Sequence, residues 1–246
     1  MKGEVKLPYW QVNVPPEERT DECPEHLLNL PPRDVEILSM RDADFSPMTW
    51  EQVLTEVGAN RIDSLQRTPS DLLRYIAFNA KARKQYGSVT NFLLAERLGW
   101  TLPLVPKGAP FEHPEDMNTL YNDWPYGIDK RIVHLCVWTK FPFEEDPETG
   151  DLTDATRAAI DNYVAKVFRS RIPAEKVLWF RNWSSIKSVR GVEHFHVMLF
   201  DPDRSFVHEV TSGVALPASL MDSASETAKA SRVPNEDSVM VCPVLS

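Results

Sequence analysis

The alternation of apolar and polar positions predicts a strand over residues 192–199, VEHFHVML. Side chains of a strand point alternately to its two faces, so Val192, His194, His196 and Met198 share one face. The opposite face is mostly apolar and carries Glu193, Phe195, Val197 and Leu199. We expect the apolar face to be buried and the two imidazoles to face a cavity.

Three further segments have strand patterns. Residues 132–138, IVHLCVW, place Ile132, His134, Cys136 and Trp138 on one face, and the other face is apolar throughout. Residues 176–181 precede the histidine strand, and residues 206–210 form a further predicted strand. The histidine-bearing faces of 132–138 and 192–199 are expected to flank each other.

Helical periodicity dominates residues 34–100 and recurs after residue 153. Thr49 with Gln52 has the pattern of a capping box, and Ser70 is the predicted cap of the following helix. Three residues mark helix boundaries in this region, namely Gly87, Ser88 and Gly99. Thr153 caps a later helix with a one-sided apolar stripe, and Pro173 stops it.

These elements divide the chain into four regions. Residues 1–33 form a proline-rich extended arm, 34–122 a helical region and 123–215 an α+β core. Residues 216–246 form a polar tail. The predicted fold class is therefore α+β, with a mainly antiparallel sheet of about five strands and an added N-terminal helical layer.

The net charge of −9 argues against a protein that binds nucleic acid over a broad electrostatic surface. A local basic set nevertheless follows the helix after Ser70, and its members are Arg67, Arg74, Lys81, Arg83 and Lys84. Two interpretations stay open: a solvated outer face, or a stripe that tracks the phosphates of a tRNA.

Compartment and cofactors follow from what the sequence lacks. The three cysteines form no CxxC pair, so a reducing, cytoplasmic location is the default. No segment approaches the roughly 18 apolar residues of a membrane span, and no signal peptide is evident. Neither GxxxxGK nor GxGxxG occurs, so we predict no cofactor.

Two polar segments accompany the histidine strand. The turn before it is dense in donors and bases: Arg181, Asn182, Trp183, Ser184, Ser185, Lys187 and Ser188. The second segment is DWPYG, in which Asp123, Trp124 and Tyr126 offer a carboxylate and two aromatic rings. This segment is either a substrate-binding turn or an Asp-Pro type turn with aromatic packing.

The order of elements over about residues 123–203 resembles the histidine-triad hydrolases and transferases. It runs strand, acidic loop, Thr-capped helix, strand, Asn-containing turn and His-φ-His-φ strand. In that family the middle of three histidines attacks a phosphate. Aligned from the end of the motif, His194 takes the middle place and His196 the last, while Val192 stands where the first would be.

A longer resemblance covers nearly the whole chain. The blocks YGSVTNFLLAERLGW, DWPYGIDKRIVHLCVWTKF and WFRNWSSIKSVRGVEHFHVML are similar to the fungal N-acetylglucosamine-induced protein family. Some of its members are arginine-containing cyclodipeptide synthases, which join arginine to a second amino acid as a diketopiperazine. The resemblance implies that arginyl-tRNA and a second charged tRNA are the partners.

This chemistry assigns expected roles to the candidate residues. His194 is the candidate general base, because a neutral imidazole titrates near working pH, and His196 is its orienter. Lys187 and Arg181 would face the oxyanion or terminal phosphates. Ser185 is either an acyl-carrying nucleophile or a turn former.

The remaining candidates are expected to hold substrate. A guanidinium needs a carboxylate in fork geometry, for which Glu193 and Asp123 are the candidates. Trp124, Tyr126, His134, Asn182 and Trp183 complete the predicted set. Zinc held by His134, His194 and His196 is conceivable, but the histidine-triad resemblance argues against a metal, so none is predicted.

Two other functions stay open beside the synthase. The first is a histidine-triad-like nucleotide hydrolase or transferase, which would act without tRNA. The second is a non-catalytic sensor or binding protein for a sugar or nucleotide.

Overall fold

The structure, a computed structural model, describes residues 7–183, 189 and 191–213. These residues fall within one compact unit that spans residues 1–215. The predicted polar tail, 216–246, lies outside the described residues. Ser185 and Lys187, two of the predicted catalytic residues, also lie outside them.

A four-stranded antiparallel sheet is the centre of the described fold. Its strands are β1 Met117–Tyr121, β2 Ile132–Thr139, β3 Val177–Phe180 and β4 Glu193–Phe200. They are arranged in the order β1-β2-β4-β3, and every neighbouring pair is antiparallel. The predicted α+β class with a mainly antiparallel sheet is confirmed.

Two elements differ from those predicted from the sequence. Residues 206–210, predicted to be a strand, belong to a helix, Arg204–Val210, because the Asp203 carboxylate caps its first turn by accepting the backbone N–H groups of Ser205 and Phe206. Residues 117–121, which fall in the predicted helical region 34–122, form edge strand β1. The described sheet therefore has four strands rather than about five.

One face of the sheet is covered by a long helix. This helix runs from Asp154 to Val164, continues as a π-helical segment over Ala165–Arg169 and is capped by Thr153 as predicted. Its apolar stripe meets the inward side chains of β2 and β4, including Phe195, Val197 and Leu199. This predicted burial is confirmed, and it forces the histidines of β4 to the other face.

The N-terminal helices cover that other face. They are α1 Pro32–Leu38, α2 Trp50–Gly58, α3 Pro69–Tyr86 and α4 Val89–Phe92, which continues as a π-helical segment over Leu93–Leu98. We name the helices of the core, Asp154–Val164 and Arg204–Val210, α5 and α6. The Thr49–Gln52 capping box is present, and Gly87 and Gly99 end their helices with φ of 78° and 63°.

Helix α3 begins earlier than its sequence pattern indicated. Thr68, rather than Ser70, is the cap: its hydroxyl accepts the backbone N–H of Asp71. Pro69 takes the first helical position, where its missing N–H has no consequence. Arg67 consequently lies before the helix and cannot share a stripe with Arg74 and Lys81.

The arm packs against helices α1 and α3. Its short 3-10 turns are Pro16–Glu18 and Glu25–Leu27, and the Tyr9 hydroxyl donates to the Leu27 carbonyl at 2.6 Å. Leu27 joins a buried cluster with Ile37, Leu38 and Leu72. No helix in the described part of the chain has the length and apolarity to cross a membrane.

Candidate functional site

Strand register brings the site residues together. Pairing of β2 with β4 sets Cys136 opposite His196 and Trp138 opposite His194. Because side chains directly opposite in an antiparallel pair share a face, all four point toward the helical layer. His134 lies two residues before Cys136 on the same face.

A cavity of about 100 Å³ lies over this face. Its walls come from α3, α4, the segment after β1, and the faces of β2 and β4. The lining residues used below are Arg67, Asn79, Asp123, Trp124, Tyr126, Cys136, Trp138, Asn182, His194 and His196. The expectation that both strand histidines open into a cavity between helical layer and sheet is therefore met.

His194 is held by stacking and by a backbone contact. Its ring stacks on Trp138 with centroids 4.2 Å apart, and its Nδ1 lies 3.2 Å from the Val192 carbonyl oxygen. A carbonyl can only accept, so Nδ1 carries the proton in this contact. The lone pair of the neutral ring is then on Nε2.

His196 is the centre of a buried polar cluster. Its Nδ1 lies 3.0 Å from His134 Nε2 and 3.4 Å from the Cys136 sulfur. Its Nε2 lies 3.2 Å from the Asn182 amide nitrogen, and Phe180 stacks on the ring at 4.9 Å. Burial, followed by the neighbouring His134 and His194, lowers its pKa well below the usual value.

His134 lies behind His196 and does not line the cavity. Burial lowers its pKa to about 3, with a smaller contribution from Arg67, so the ring is neutral. Tyr126 stacks on it with centroids 5.3 Å apart. Burial also raises the pKa of the Cys136 thiol, which is protonated in the absence of a ligand.

The DWPYG segment lines the cavity, but its carboxylate already has a partner. Arg97 donates to both oxygens of Asp123, at 3.0 and 2.7 Å. Burial raises the pKa of Asp123, and Arg97 opposes that rise. Asp123 therefore binds the guanidinium of Arg97 in the fork geometry that was predicted for a substrate arginine. Trp124 and Tyr126 face the cavity as predicted.

Arg67, predicted to bind tRNA on the surface, lies in the cavity wall instead. Its guanidinium lies 4.0 Å from the Tyr75 ring centroid, and its Nε donates to the Trp124 carbonyl at 3.1 Å. Among the described residues it forms no salt bridge. The other members of the basic set stay on the surface: Arg74 pairs with Asp71 at 2.5 Å, while Lys81, Arg83 and Lys84 are exposed.

Three predicted residues lie away from the cavity. Arg181 is buried in an ion pair with Glu145, and its Nε lies 3.6 Å from Glu193. Trp183 donates its indole N–H to the Asn60 side chain at 3.2 Å. Residues 181 and 193 fall on the α5 side of the alternating strands, so neither the Arg181 cation nor the Glu193 carboxylate reaches the histidine face.

Asn79 is a cavity residue that sequence reasoning missed. It lies on α3 and is 7% exposed, and its Oδ1 has no hydrogen-bond partner within the described part of the chain. Asn182, which was predicted, is also 7% exposed with an unpartnered Oδ1. The available signal for Asn79 was an amide one helical turn after Tyr75, among the apolar positions of α3.

Comparison with known proteins gives two curated relatives. N-acetylglucosamine-induced protein 1 of Candida albicans is 29% identical over 187 residues, which cover 68% of this chain and 74% of that protein. Uncharacterized protein YPL067C of Saccharomyces cerevisiae is 25% identical over 166 residues, covering 65% and 82% respectively. The predicted similarity to the N-acetylglucosamine-induced protein is confirmed.

A solved structure supports the fold. The crystal structure of HTC1 superposes with a TM-score of 0.57 at 22% identity and covers 69% of this chain and 98% of that one. At this identity the likeness shows the fold alone. Residues 49–200, which include every strand and the whole cavity wall, match a family profile, and the chain belongs to the family described as protein of unknown function (DUF3605).

Proposed function

We propose that this protein is an aminoacyl-tRNA-dependent cyclodipeptide synthase that joins arginine to a second amino acid. The observation that carries the proposal is His194, whose Nε2 lone pair belongs to a ring that lines a small cavity. The family resemblance supplies the reaction class. The cavity geometry supports it in size, in hydrogen-bonding groups and in charge.

Size favours an amino-acid group as the occupant. A volume of about 100 Å³ is below the roughly 300–1,000 Å³ of pockets for drug-sized ligands. A single side chain or an ester head group matches this space better than a nucleotide does. The tRNA itself would remain outside, along the surface of α3.

The wall contains an unused acceptor. The Oδ1 atom of Asn79 is buried without a partner among the described residues, and such an atom costs about 1–3 kcal/mol. A guanidinium or ammonium group carries several N–H donors and no acceptor. A donor-rich amino acid would satisfy this oxygen, which supports arginine as one substrate.

His194 is the proposed general base. The amine of one aminoacyl ester transfers a proton to Nε2 and attacks the carbonyl carbon of the other. The ribose oxygen then leaves and takes up that proton, so one amide bond forms as one ester bond breaks. In the resulting dipeptidyl ester the free amine attacks the remaining ester carbonyl, and this second transfer releases the second tRNA and closes the diketopiperazine ring. Among the described residues, Arg67 rather than Arg181 is the cation in position to stabilise the oxyanion.

Nucleotide hydrolysis is the competing enzymatic function. Val192 stands where the first histidine of a triad would be and is packed in an apolar cluster with Trp138 and Val189. That position therefore supplies no imidazole for a phosphate. A sensor of sugar or nucleotide is the non-catalytic alternative.

A reconstituted reaction separates the three. Purified protein is incubated with arginyl-tRNA and a mixture of other charged tRNAs, and products are identified by mass spectrometry. The proposal expects arginine-containing diketopiperazines that ribonuclease abolishes and fresh charged tRNA restores. Turnover of a dinucleotide or nucleoside phosphoramidate without tRNA would instead establish hydrolysis, and binding without turnover of either substrate would establish a sensor.

A further inference from the structure

Three metal-ligating side chains converge beneath the cavity floor. The donor atoms of His134, Cys136 and His196 all lie within 4.8 Å of one another, and all three residues are buried. Strand register produces this cluster, because Cys136 pairs with His196 across β2 and β4. His194 is not part of it, since its ring stacks on Trp138 instead.

The donor separations match a tetrahedral ion. Zinc bonds of about 2.0–2.1 Å to nitrogen and 2.3 Å to sulfur imply separations of about 3.3 Å between nitrogens and about 3.6 Å between nitrogen and sulfur. The observed values are 3.0 Å for His134 Nε2 to His196 Nδ1 and 3.4 Å for Cys136 sulfur to His196 Nδ1. These two separations lie within a few tenths of an ångström of the tetrahedral values, and all three donor atoms lie within 4.8 Å of one another.

Asn182 supplies an independent indication. Its amide nitrogen faces His196 Nε2 and the Tyr126 hydroxyl, while its Oδ1 has no partner. Rotating the amide group by 180° exchanges its oxygen and nitrogen and would let Oδ1 accept from His196 Nε2–H and from the tyrosine. With the proton on Nε2, the Nδ1 lone pair of His196 points toward His134 and Cys136. A metal-ligating histidine requires this arrangement, in which its other ring nitrogen donates to an outer-shell group.

We propose that His134, Cys136 and His196 bind a zinc ion through two neutral imidazoles and a thiolate. This adds a metal to a protein for which the sequence predicted none, and it does not depend on the proposed synthase activity. Cys136 and His196 both line the cavity. The fourth coordination position therefore faces it and would take water or a ligand oxygen, as in zinc sites with three protein ligands.

The thiolate is the decisive ligand. Arg67 lies close enough to lower the pKa of His134 and His196, so its charge also opposes a second cation. One negative sulfur offsets half of the zinc charge. Replacing the sulfur by a neutral hydroxyl should therefore cost more affinity than replacing an outer-shell group such as Asn182.

Metal content and cobalt spectroscopy test the proposal on the full chain. Protein purified without chelator is analysed for zinc, then stripped and titrated with zinc or cobalt. We expect about one ion per chain and, with cobalt, intense visible bands of tetrahedral geometry together with a thiolate charge-transfer band. Cys136→Ser should weaken zinc binding at least about 100-fold, beyond the 10–100-fold typical of outer-shell substitutions.

Two variants serve as matched comparisons. Cys23→Ser removes the other described cysteine, which lies in the arm, and should leave zinc binding unchanged. Asn182→Leu should weaken it about 10–100-fold. Three results would overturn the proposal: wild-type protein that does not retain stoichiometric zinc, a cobalt complex without the thiolate band, or equal zinc affinity in Cys136→Ser and wild type. The first two measurements use the wild-type protein and do not require the variants to fold.

Discussion

Single residues of the cavity wall differ in whether they serve the fold or a ligand. Asp123, paired with Arg97, and Trp138, stacked on His194, have their partners within the chain. Asn79 contributes a buried oxygen that no described group satisfies. A buried polar atom without a partner lowers the stability of the empty protein, and a substrate that bonds to it removes that cost. Asn79 is therefore the better candidate for substrate binding.

Asn79→Ala tests this distinction. Removing an unsatisfied amide from a helix should leave the free energy of unfolding unchanged or slightly increased, because no hydrogen bond of its Oδ1 is lost and alanine favours helix. The KM for arginyl-tRNA should rise about tenfold, equivalent to one lost hydrogen bond of about 1.4 kcal/mol. Denaturant titration and steady-state kinetics measure the two effects.

Asn162→Ala, an exposed amide on α5, is the matched control and should change neither quantity. If Asn79→Ala were to lose several kcal/mol of stability, the amide would have a structural role that the buried oxygen does not reveal.

Gly127 is a second residue with a specific constraint. A Cβ there would lie 2.4 Å from the Phe45 ring, while its backbone bonds to Gln66 and Met48 fix its position. Gly127→Ala should therefore cost about 1–3 kcal/mol through overpacking. Gly58→Ala has open space around it and should leave stability unchanged or raise it by up to about 1 kcal/mol. Equal melting temperatures for both variants would contradict this packing.

At the scale of elements, the sequence pattern predicted the strands and helices whose formation depends mainly on neighbouring residues. Alternation in β2 and β4 gave their faces correctly, since one side of β2 is wholly apolar over residues 132–138 and one side of β4 is apolar apart from Glu193. Strand β1 and helix α6 were missed for different reasons. A five-residue edge strand after prolines has little pattern of its own, and the Asp203 cap outweighs the β-branched residues of α6.

The exposed basic residues of α3 test the tRNA interaction at this scale. Lys81 is exposed, and if it contacts phosphate, Lys81→Glu should weaken binding of charged tRNA. The slope of log affinity against log salt should fall by about one, as expected for loss of one phosphate contact. Lys166→Glu makes the same charge change on the opposite side of the sheet and should have little effect. Identical affinities and slopes for the two variants would identify the α3 residues as an ordinary solvated face.

At the scale of the whole molecule, the arm belongs to the folded domain. Leu27 is 1% exposed within the cluster of α1 and α3, whereas its neighbour Leu28 is 51% exposed. Because α3 also forms a cavity wall, the arm supports the site from behind. The sequence predicted a proline-rich extended arm over residues 1–33, but the partner of each buried side chain depends on tertiary packing.

Leu27→Ala and Leu28→Ala form a matched pair at adjacent positions. Leu27→Ala should cost about 2–5 kcal/mol, because a fully buried leucine leaves a cavity. Leu28→Ala should stay within about 0.5 kcal/mol of wild type. Urea unfolding monitored by tryptophan fluorescence measures both, and a negligible effect at Leu27 would show that the arm is not part of the cooperative unit.

The site as a whole was predictable only where one strand determines it. His194 and His196 follow from alternation within β4, and both line the cavity. Other features of the site depend on contacts between distant segments. Arg97 pairs with Asp123, Arg67 lies in the cavity wall, and Arg181 lies on the other face of the sheet. No periodicity along the chain encodes those contacts.

His194 is the residue on which the account of function depends most. The direct measurement is the rate of arginine-containing diketopiperazine formation from charged tRNAs by wild type, His194→Ala and His208→Ala, the last an exposed histidine on α6. We predict a rate reduced about 100-fold or more in His194→Ala, the scale of a lost general base, and an unchanged rate in His208→Ala. Near-normal turnover by a folded His194→Ala protein would contradict the proposed role of this cavity.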